Sequence, residues 1–231
     1  MTTIRPRMQA LQSRVQTCAR NAGRDPDSVR IIAVSKTFPR EAIAEAISCG
    51  QTAFGENYVQ EALEKIAVFS GGLEWHMIGP IQSNKTKSIA EHFVWVHSVD
   101  CEKVARRLSA ARPAVLPSLN VCIQVNVSGE ASKAGVAPDD ALPLARAIAQ
   151  MPRLKLRGLM AVPEPSKDAT LQRARFCTLR ELRDHINDET GIGLDTLSMG
   201  MSDDLDTAIA EGATMVRVGR AIFGARPVKA T

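Results

Sequence analysis

The residues best suited to chemistry are a lysine, an arginine and two glycine-bearing loops. Lys36 closes the run Arg30-Ile31-Ile32-Ala33-Val34-Ser35-Lys36-Thr37-Phe38-Pro39. Ile31 to Val34 are too few for a helix and read as a buried strand. Pro39 suits the start of a helix continued by Glu41, Ile43 and Ile47. Lys36 then stands where a parallel strand turns toward a helix, the edge that holds the site in α/β folds. An amine kept there among apolar neighbours loses hydration, and its neutral form can attack a carbonyl. The plain alternative is a loop lysine with its ammonium in water. The loops Leu197-Ser198-Met199-Gly200-Met201-Ser202 and Val218-Gly219-Arg220-Ala221-Ile222-Phe223-Gly224 bring backbone N–H groups, and Ser198 a hydroxyl, within reach of an anion such as phosphate. The same glycines would also close ordinary tight turns. Arg217, in the strand before the second loop, has two orientations open to it. Pointing inward it is a fixed cation that needs an acceptor such as a pyridine nitrogen or a carboxylate; pointing outward it pairs on the surface.

These residues need a frame. Ile4, Met8, Leu11, Val15 and Cys18 recur at helical spacing and predict an amphipathic helix over 4–19. Strands are then expected at 31–34, 51–55, 74–78, 93–98, 121–127, 154–162, 196–199 and 214–218, with helices between them. The helix after the second strand presents Val59, Ala62, Leu63 and Ile66. Ser202 or Asp203 caps the helix that Gly212 ends. Eight strands alternating with helices argue for a single-domain (β/α)8 TIM barrel with an extra N-terminal helix, covering residues 1–231 with a core of about 4–226. An open doubly wound sheet is the rival. In a barrel all strand ends face one mouth. They are Lys36, Gly55-Glu56-Asn57, His76 with Gly79, His97-Ser98, Asn126, Met160, Ser198-Met199-Gly200, and Arg217 with Gly219-Arg220. Such a mouth fits a phosphorylated carbonyl compound.

The 231 residues are 45% hydrophobic and 23% charged, which is globular, and the net charge of +4 is spread along the chain. No basic run interleaved with aromatics speaks for nucleic acid. Cys18, Cys49, Cys101, Cys122 and Cys177 are odd in number, far apart and without a C-x-x-C pair, as in a reducing compartment. With neither a signal-peptide core at the start nor a span long enough for a bilayer, the expected location is cytoplasmic and no membrane contact is expected. His92 and His185 read as solvated helix residues. His76 and His97 end neighbouring strands, but no further ligand accompanies them, so no metal is expected. Glu56 and Glu61 read as solvated acids of a first helical turn.

Several stretches together carry a resemblance: Ala33-Val34-Ser35-Lys36-Thr37, Phe54-Gly55-Glu56-Asn57-Tyr58-Val59-Gln60-Glu61, Trp75-His76-Met77-Ile78-Gly79-Pro80-Ile81-Gln82-Ser83-Asn84-Lys85, Gly158-Leu159-Met160, Leu197-Ser198-Met199-Gly200-Met201-Ser202-Asp203-Asp204 and Val216-Arg217-Val218-Gly219-Arg220-Ala221-Ile222-Phe223-Gly224. From about residue 4 to Arg226 the chain resembles the pyridoxal phosphate homeostasis protein family. The resemblance implies the barrel of the alanine racemase N-terminal domain, the type III fold of pyridoxal phosphate proteins. It implies that Lys36 carries pyridoxal 5′-phosphate as a Schiff base, that Ser198, Gly219 and Arg220 cradle the phosphate, that Arg217 faces the pyridine nitrogen and that Asn57 lies near the ring. With His76 and Met199 from the strand ends, these form the expected cofactor-binding set. Lys133 matches a loop lysine implicated in handling a second cofactor molecule. Position 220 is often a small hydroxyl residue in the family; here it is Arg220. The implied role is vitamin B6 homeostasis and cofactor supply without catalytic turnover, in a monomer whose partners are pyridoxal phosphate and the apoenzymes that depend on it. The alternatives are a racemase-like enzyme, which needs an acid/base on each substrate face although Tyr58 is the one tyrosine, and a cofactor-free Schiff-base aldolase.

Overall fold

Short apolar runs pair in chain order, each parallel to the next. They are β1 (Arg30–Val34), β2 (Ala53–Glu56), β3 (Glu74–Met77), β4 (Trp95–Val99), β5 (Leu119–Gln124), β6 (Leu154–Met160), β7 (Thr196–Ser198) and β8 (Met215–Val218). β8 returns to β1, pairing Arg30 with Met215 and Ala33 with Val218, so the sheet is a closed barrel and not an open one. This computed structural model describes residues 4–69, 71–130, 134–166 and 168–225. Parallel strands are buried on both faces, as the unbroken buried runs of β2, β4, β7 and β8 show.

The helices cover the outside. α1 (Ile4–Asn21) precedes the barrel and buries Ile4, Met8, Leu11, Val15 and Ala19 along one stripe. Burial of Met8, Leu11 and Val15 stabilises its docking by about 1.5–3 kcal/mol each. The other helices are α2 (Arg40–Ser48), α3 (Val59–Ile66), α4 (Thr86–His92), α5 (Glu102–Ala111), α6 (Pro138–Ala149), α7 (Ala169–Thr190), α8 (Leu205–Ala210) and α9 (Arg220–Phe223). α1 packs against α2, α8 and α9. The Asp168 side chain caps α7 by accepting from the N–H groups of Thr170 and Leu171, and Gly191 ends it in the left-handed region. No helix among the described residues is long and apolar enough to cross a membrane.

The large apolar core lies between strands and helices. A smaller cluster of Ile32, Ala53, Trp95, Cys122, Met160 and Met215 fills part of the lumen. Gly158 permits the tightest approach between strands. A Cβ there would stand 1.8 Å from the Thr196 carbonyl oxygen on β7.

Several boundaries differ from the sequence reading, and three of them bear on the site or its loops. β2 extends to Glu56, which places that carboxylate in a fully buried strand. β5 stops at Gln124, because Gly135 lets the following segment fold back against it. Val125 bridges Val136, and a Cβ on Gly135 would meet the Asn126 nitrogen at 2.9 Å. The capping residue of α8 is Asp204, whose Oδ1 accepts from the Met201 N–H at 2.6 Å, in place of Ser202 or Asp203.

Candidate functional site

Lys36 lies just past β1 and is half-buried, between two residues tied down from α3. On one side, the buried Ser35 hydroxyl donates to Glu56 Oε1 at 2.6 Å and the Ser35 carbonyl accepts from Lys65 Nζ at 2.8 Å. On the other, the Thr37 N–H donates to Glu61 Oε1 at 2.6 Å. Lys65 Nζ joins the two halves, donating to Glu56 Oε1 at 2.7 Å and to Glu61 Oε1 at 2.6 Å. Thr37 is held at φ +67°, a region that costs a β-branched residue strain energy. Burial pushes the Glu56 carboxyl above the ordinary carboxylate range, with Lys65 and Ser35 pulling the other way. Glu56 is therefore a buried strand residue and not a solvated helix acid, whereas Glu61 does stand in the first turn of α3, partly exposed but engaged by Lys65 and the Thr37 N–H. The two carboxylates brace the backbone on both sides of Lys36.

Arg217 points into the barrel. Its Nη1 donates to the Ser198 carbonyl and to Ser198 Oγ, both at 2.6 Å, and its Nη2 donates to the Ala161 carbonyl at 2.8 Å. Burial lowers its pKa to about 10, which leaves it charged at neutral pH. A guanidinium has five N–H donors. Two of those on Arg217 therefore have no acceptor among the described residues. Ser198 Oγ also lies 2.7 Å from His97 Nδ1, and His97 Nε2 lies 2.9 Å from His76 Nδ1. β4 and β7 are not neighbours in the sheet, so the His97–Ser198 contact crosses the lumen. His76 stacks on Trp95 with ring centroids 5.7 Å apart. Burial, then the neighbouring imidazole, hold His76 well below 6.5; burial and Arg217 hold His97 at about 3. Among the described residues no group of three or more His, Cys, Asp or Glu side chains is placed to hold a metal ion.

The loops after β7 and β8 meet the end of β1. Gly219 lies where a Cβ would be 3.3 Å from the Val34 carbonyl oxygen, two residues before Lys36. Gly200 has φ +94°, and its carbonyl accepts from the Arg217 N–H at 2.9 Å. The Met199 side chain is buried in the core, and its N–H donates to the Met215 carbonyl. The Arg220 guanidinium turns outward and pairs with Asp203, linking the two loops. Asn57 follows β2 and lies against Gly79, where a Cβ would stand 2.5 Å from its carbonyl oxygen. Lys133 lies outside the described residues. The structure thus brings Lys36, Gly219 and Arg220 to one rim, and places His76, Ser198 and Arg217 in the lumen.

The sequence reading missed Lys65, and His97 as a partner of Ser198. Lys65 had left a trace, since it follows Val59 and Ala62 at intervals of three on the buried stripe of α3. No local pattern pairs His97 with Ser198.

The alanine racemase N-terminal domain model matches residues 7–227. The pyridoxal phosphate homeostasis protein of Pseudomonas aeruginosa is 59% identical over 227 residues, which cover 98% of this chain and 97% of that protein. PipY of Synechococcus elongatus, solved with PLP bound, aligns at TM-score 0.86 and 37% identity, covering 96% of this chain and 100% of that one. Alanine racemase of Corynebacterium glutamicum aligns at TM-score 0.66 and 16% identity over 96% of this chain and 62% of the racemase; that likeness is one of fold.

Proposed function

The chain belongs to the pyridoxal phosphate homeostasis protein family, built on the alanine racemase N-terminal domain, and on that premise we propose that it holds pyridoxal 5′-phosphate on Lys36 and serves the intracellular supply of that cofactor without turnover of its own. The observation that carries this reading is the junction of β8 with β1, which puts an amine, a glycine-opened helix start and a buried arginine with spare donors side by side. When bound, pyridoxal phosphate supplies an aldehyde that condenses with amines.

The donor set fits that group. Lys36 would hold the aldehyde carbon as a Schiff base. The first N–H groups of α9, from Gly219, Arg220 and Ala221, have no partner within the helix and suit a phosphate. The spare donors of Arg217 suit a pyridine nitrogen, which then stays unprotonated because a guanidinium cannot accept a hydrogen bond. The Ser198 hydroxyl is engaged by Arg217 and His97, so in this reading it serves the ring-facing arginine. We assign cofactor contacts to Asn57 and Met199 by position at the barrel only, and a second cofactor contact to Lys133; the fully buried His76 bonds to His97 and in this reading stands behind Ser198.

In this reading the absence of turnover is supported by the lack of a placed second acid/base among the described residues. Racemisation needs one on each substrate face. The chain's one tyrosine, Tyr58, is 58% exposed on the turn into α3, and both lumen imidazoles are buried and neutral. The proposed protein is a single cofactor-binding unit over residues 1–231, monomeric, cytoplasmic, with dependent apoenzymes as recipients.

Purified protein given pyridoxal phosphate should absorb visible light, and borohydride followed by peptide mapping should place the label on Lys36. Label on another lysine with Lys36 unmodified overturns the site. No absorbing complex, as for a cofactor-free aldolase, overturns the cofactor. Exchange of D- and L-alanine at about 1 per second or faster overturns the carrier role.

A further inference from the structure

Four buried side chains from four strands form one line of hydrogen bonds across the lumen: Arg217, Ser198, His97 and His76. The chemistry of each partner fixes its direction. Arg217 only donates, so Ser198 Oγ accepts from it at 2.6 Å. The Ser198 proton is then directed to His97 Nδ1 at 2.7 Å. His97 Nδ1 therefore accepts, and a neutral His97 carries its proton on Nε2. That N–H faces His76 Nδ1 at 2.9 Å, so His76 also accepts at Nδ1 and carries its proton on Nε2. His76 Nε2 is fully buried without a hydrogen-bond partner among the described residues; Glu74 Oε2 is 3.9 Å away, beyond hydrogen-bond reach. Every donor in the line points away from Arg217. The first bond cannot reverse, because a guanidinium has no lone pair to offer, and the Ser198 proton has no acceptor among the described residues other than His97 Nδ1.

Burial and Arg217 keep a proton off His97, and burial keeps one off His76, so the line holds a single positive charge at its Arg217 end. A serine side chain turns among three staggered positions about one bond. The His97 contact across the lumen selects the position in which Oγ also meets Arg217 from the neighbouring strand.

We propose that His97 and His76 are positioning residues for Arg217: through the Ser198 hydroxyl they hold the guanidinium so that its spare donors stay on the ring nitrogen of bound pyridoxal phosphate. This rests on the function proposed above. Asparagine at 97 places an amide oxygen where Nδ1 stands and keeps the acceptor for Ser198, whereas leucine removes it.

The first measurement needs no cofactor. Nitrogen-15 NMR of the histidine side chains in the ligand-free protein at pH 7 should show His76 and His97 both protonated on Nε2 and bare on Nδ1. A proton on Nδ1 of either ring overturns the relay. The second compares binding of pyridoxal phosphate with binding of its 1-deaza analogue, which keeps the aldehyde and phosphate and lacks the ring acceptor. Wild type should favour pyridoxal phosphate by about tenfold, the value of one charge-assisted hydrogen bond. His97→Asn should keep that preference, and His97→Leu should bring it to about twofold or less. A leucine variant that discriminates like wild type overturns the positioning role. Should that variant not fold, His76→Leu, which withdraws the acceptor for His97 Nε2–H, must narrow the preference, and an unchanged preference there is equally fatal. A wild-type protein that binds neither compound overturns the proposed function, while the tautomers still decide the relay.

Discussion

Arg220 has a partner that gives its place in the fold a consequence. It opens α9 beside the proposed phosphate cradle, yet its guanidinium is held by Asp203 from the neighbouring loop. Both side chains are well exposed, so the pair adds little stability, about 0–1 kcal/mol. Asp203→Asn should leave the melting temperature nearly unchanged while freeing the guanidinium for the phosphate. The expected outcome is a few-fold tighter binding of pyridoxal phosphate with no change for pyridoxal, which has no phosphate. Equal effects on the two compounds would place Arg220 outside the cradle. Lys36→Ala makes the complementary case. It should abolish the visible band and the borohydride label yet keep measurable phosphate-dependent affinity, since the α9 N–H groups remain.

At the scale of elements, α3 works as a brace on the strand end that carries Lys36. Its Lys65 satisfies the Ser35 carbonyl and both Glu56 and Glu61, all three within 2.8 Å. Removing one partner of a buried ion cluster leaves the others uncompensated, at a cost of about 3 kcal/mol or more. Lys65→Met should lower the unfolding free energy measured in urea by that amount, and adding Glu56→Gln should recover part of the loss, because the stranded group is then neutral. A Lys65→Met protein as stable as wild type would show that the cluster is dispensable. Gly158 makes a second element-scale prediction. With the Thr196 oxygen 1.8 Å from where a Cβ would sit, Gly158→Ala must part β6 from β7. The expected loss is about 3 kcal/mol or more, read by thermal melting.

The whole molecule feels its lumen through pH. An imidazole in the unfolded chain takes up a proton near its ordinary pKa of about 6.5. In the folded barrel His97 does so only at about 3, and His76 well below 6.5. Between those values the unfolded state binds more protons, so stability must fall as pH falls from 6.5 toward 3. From pH 7 to pH 5 the expected loss is about 2 kcal/mol for His97 alone. His97→Asn should flatten the stability profile by that amount over the same interval. Identical slopes in the two proteins would mean that His97 titrates normally.

The sequence alone determined the alternation of eight strands with helices, the docking stripe of α1, the position of Lys36 past β1 and that of a glycine at the end of β8. These are local matters: a period of 3.6, short β-branched runs, and glycine at the strand ends where the backbone turns. The tertiary structure decided the rest. Both faces of a parallel barrel strand are buried, so alternation does not say which side is the lumen, and Arg217 pointed inward only once β8 had closed onto β1. Closure also set His97 opposite Ser198, 101 residues apart and on strands that are not neighbours. Glu56 looked like the first acid of a helix because the end of β2 and the start of α3 are three residues apart. Its burial beside Lys65 depends on α3 packing over β2, and such a packing contact leaves no pattern in the chain beyond one lysine on an apolar stripe.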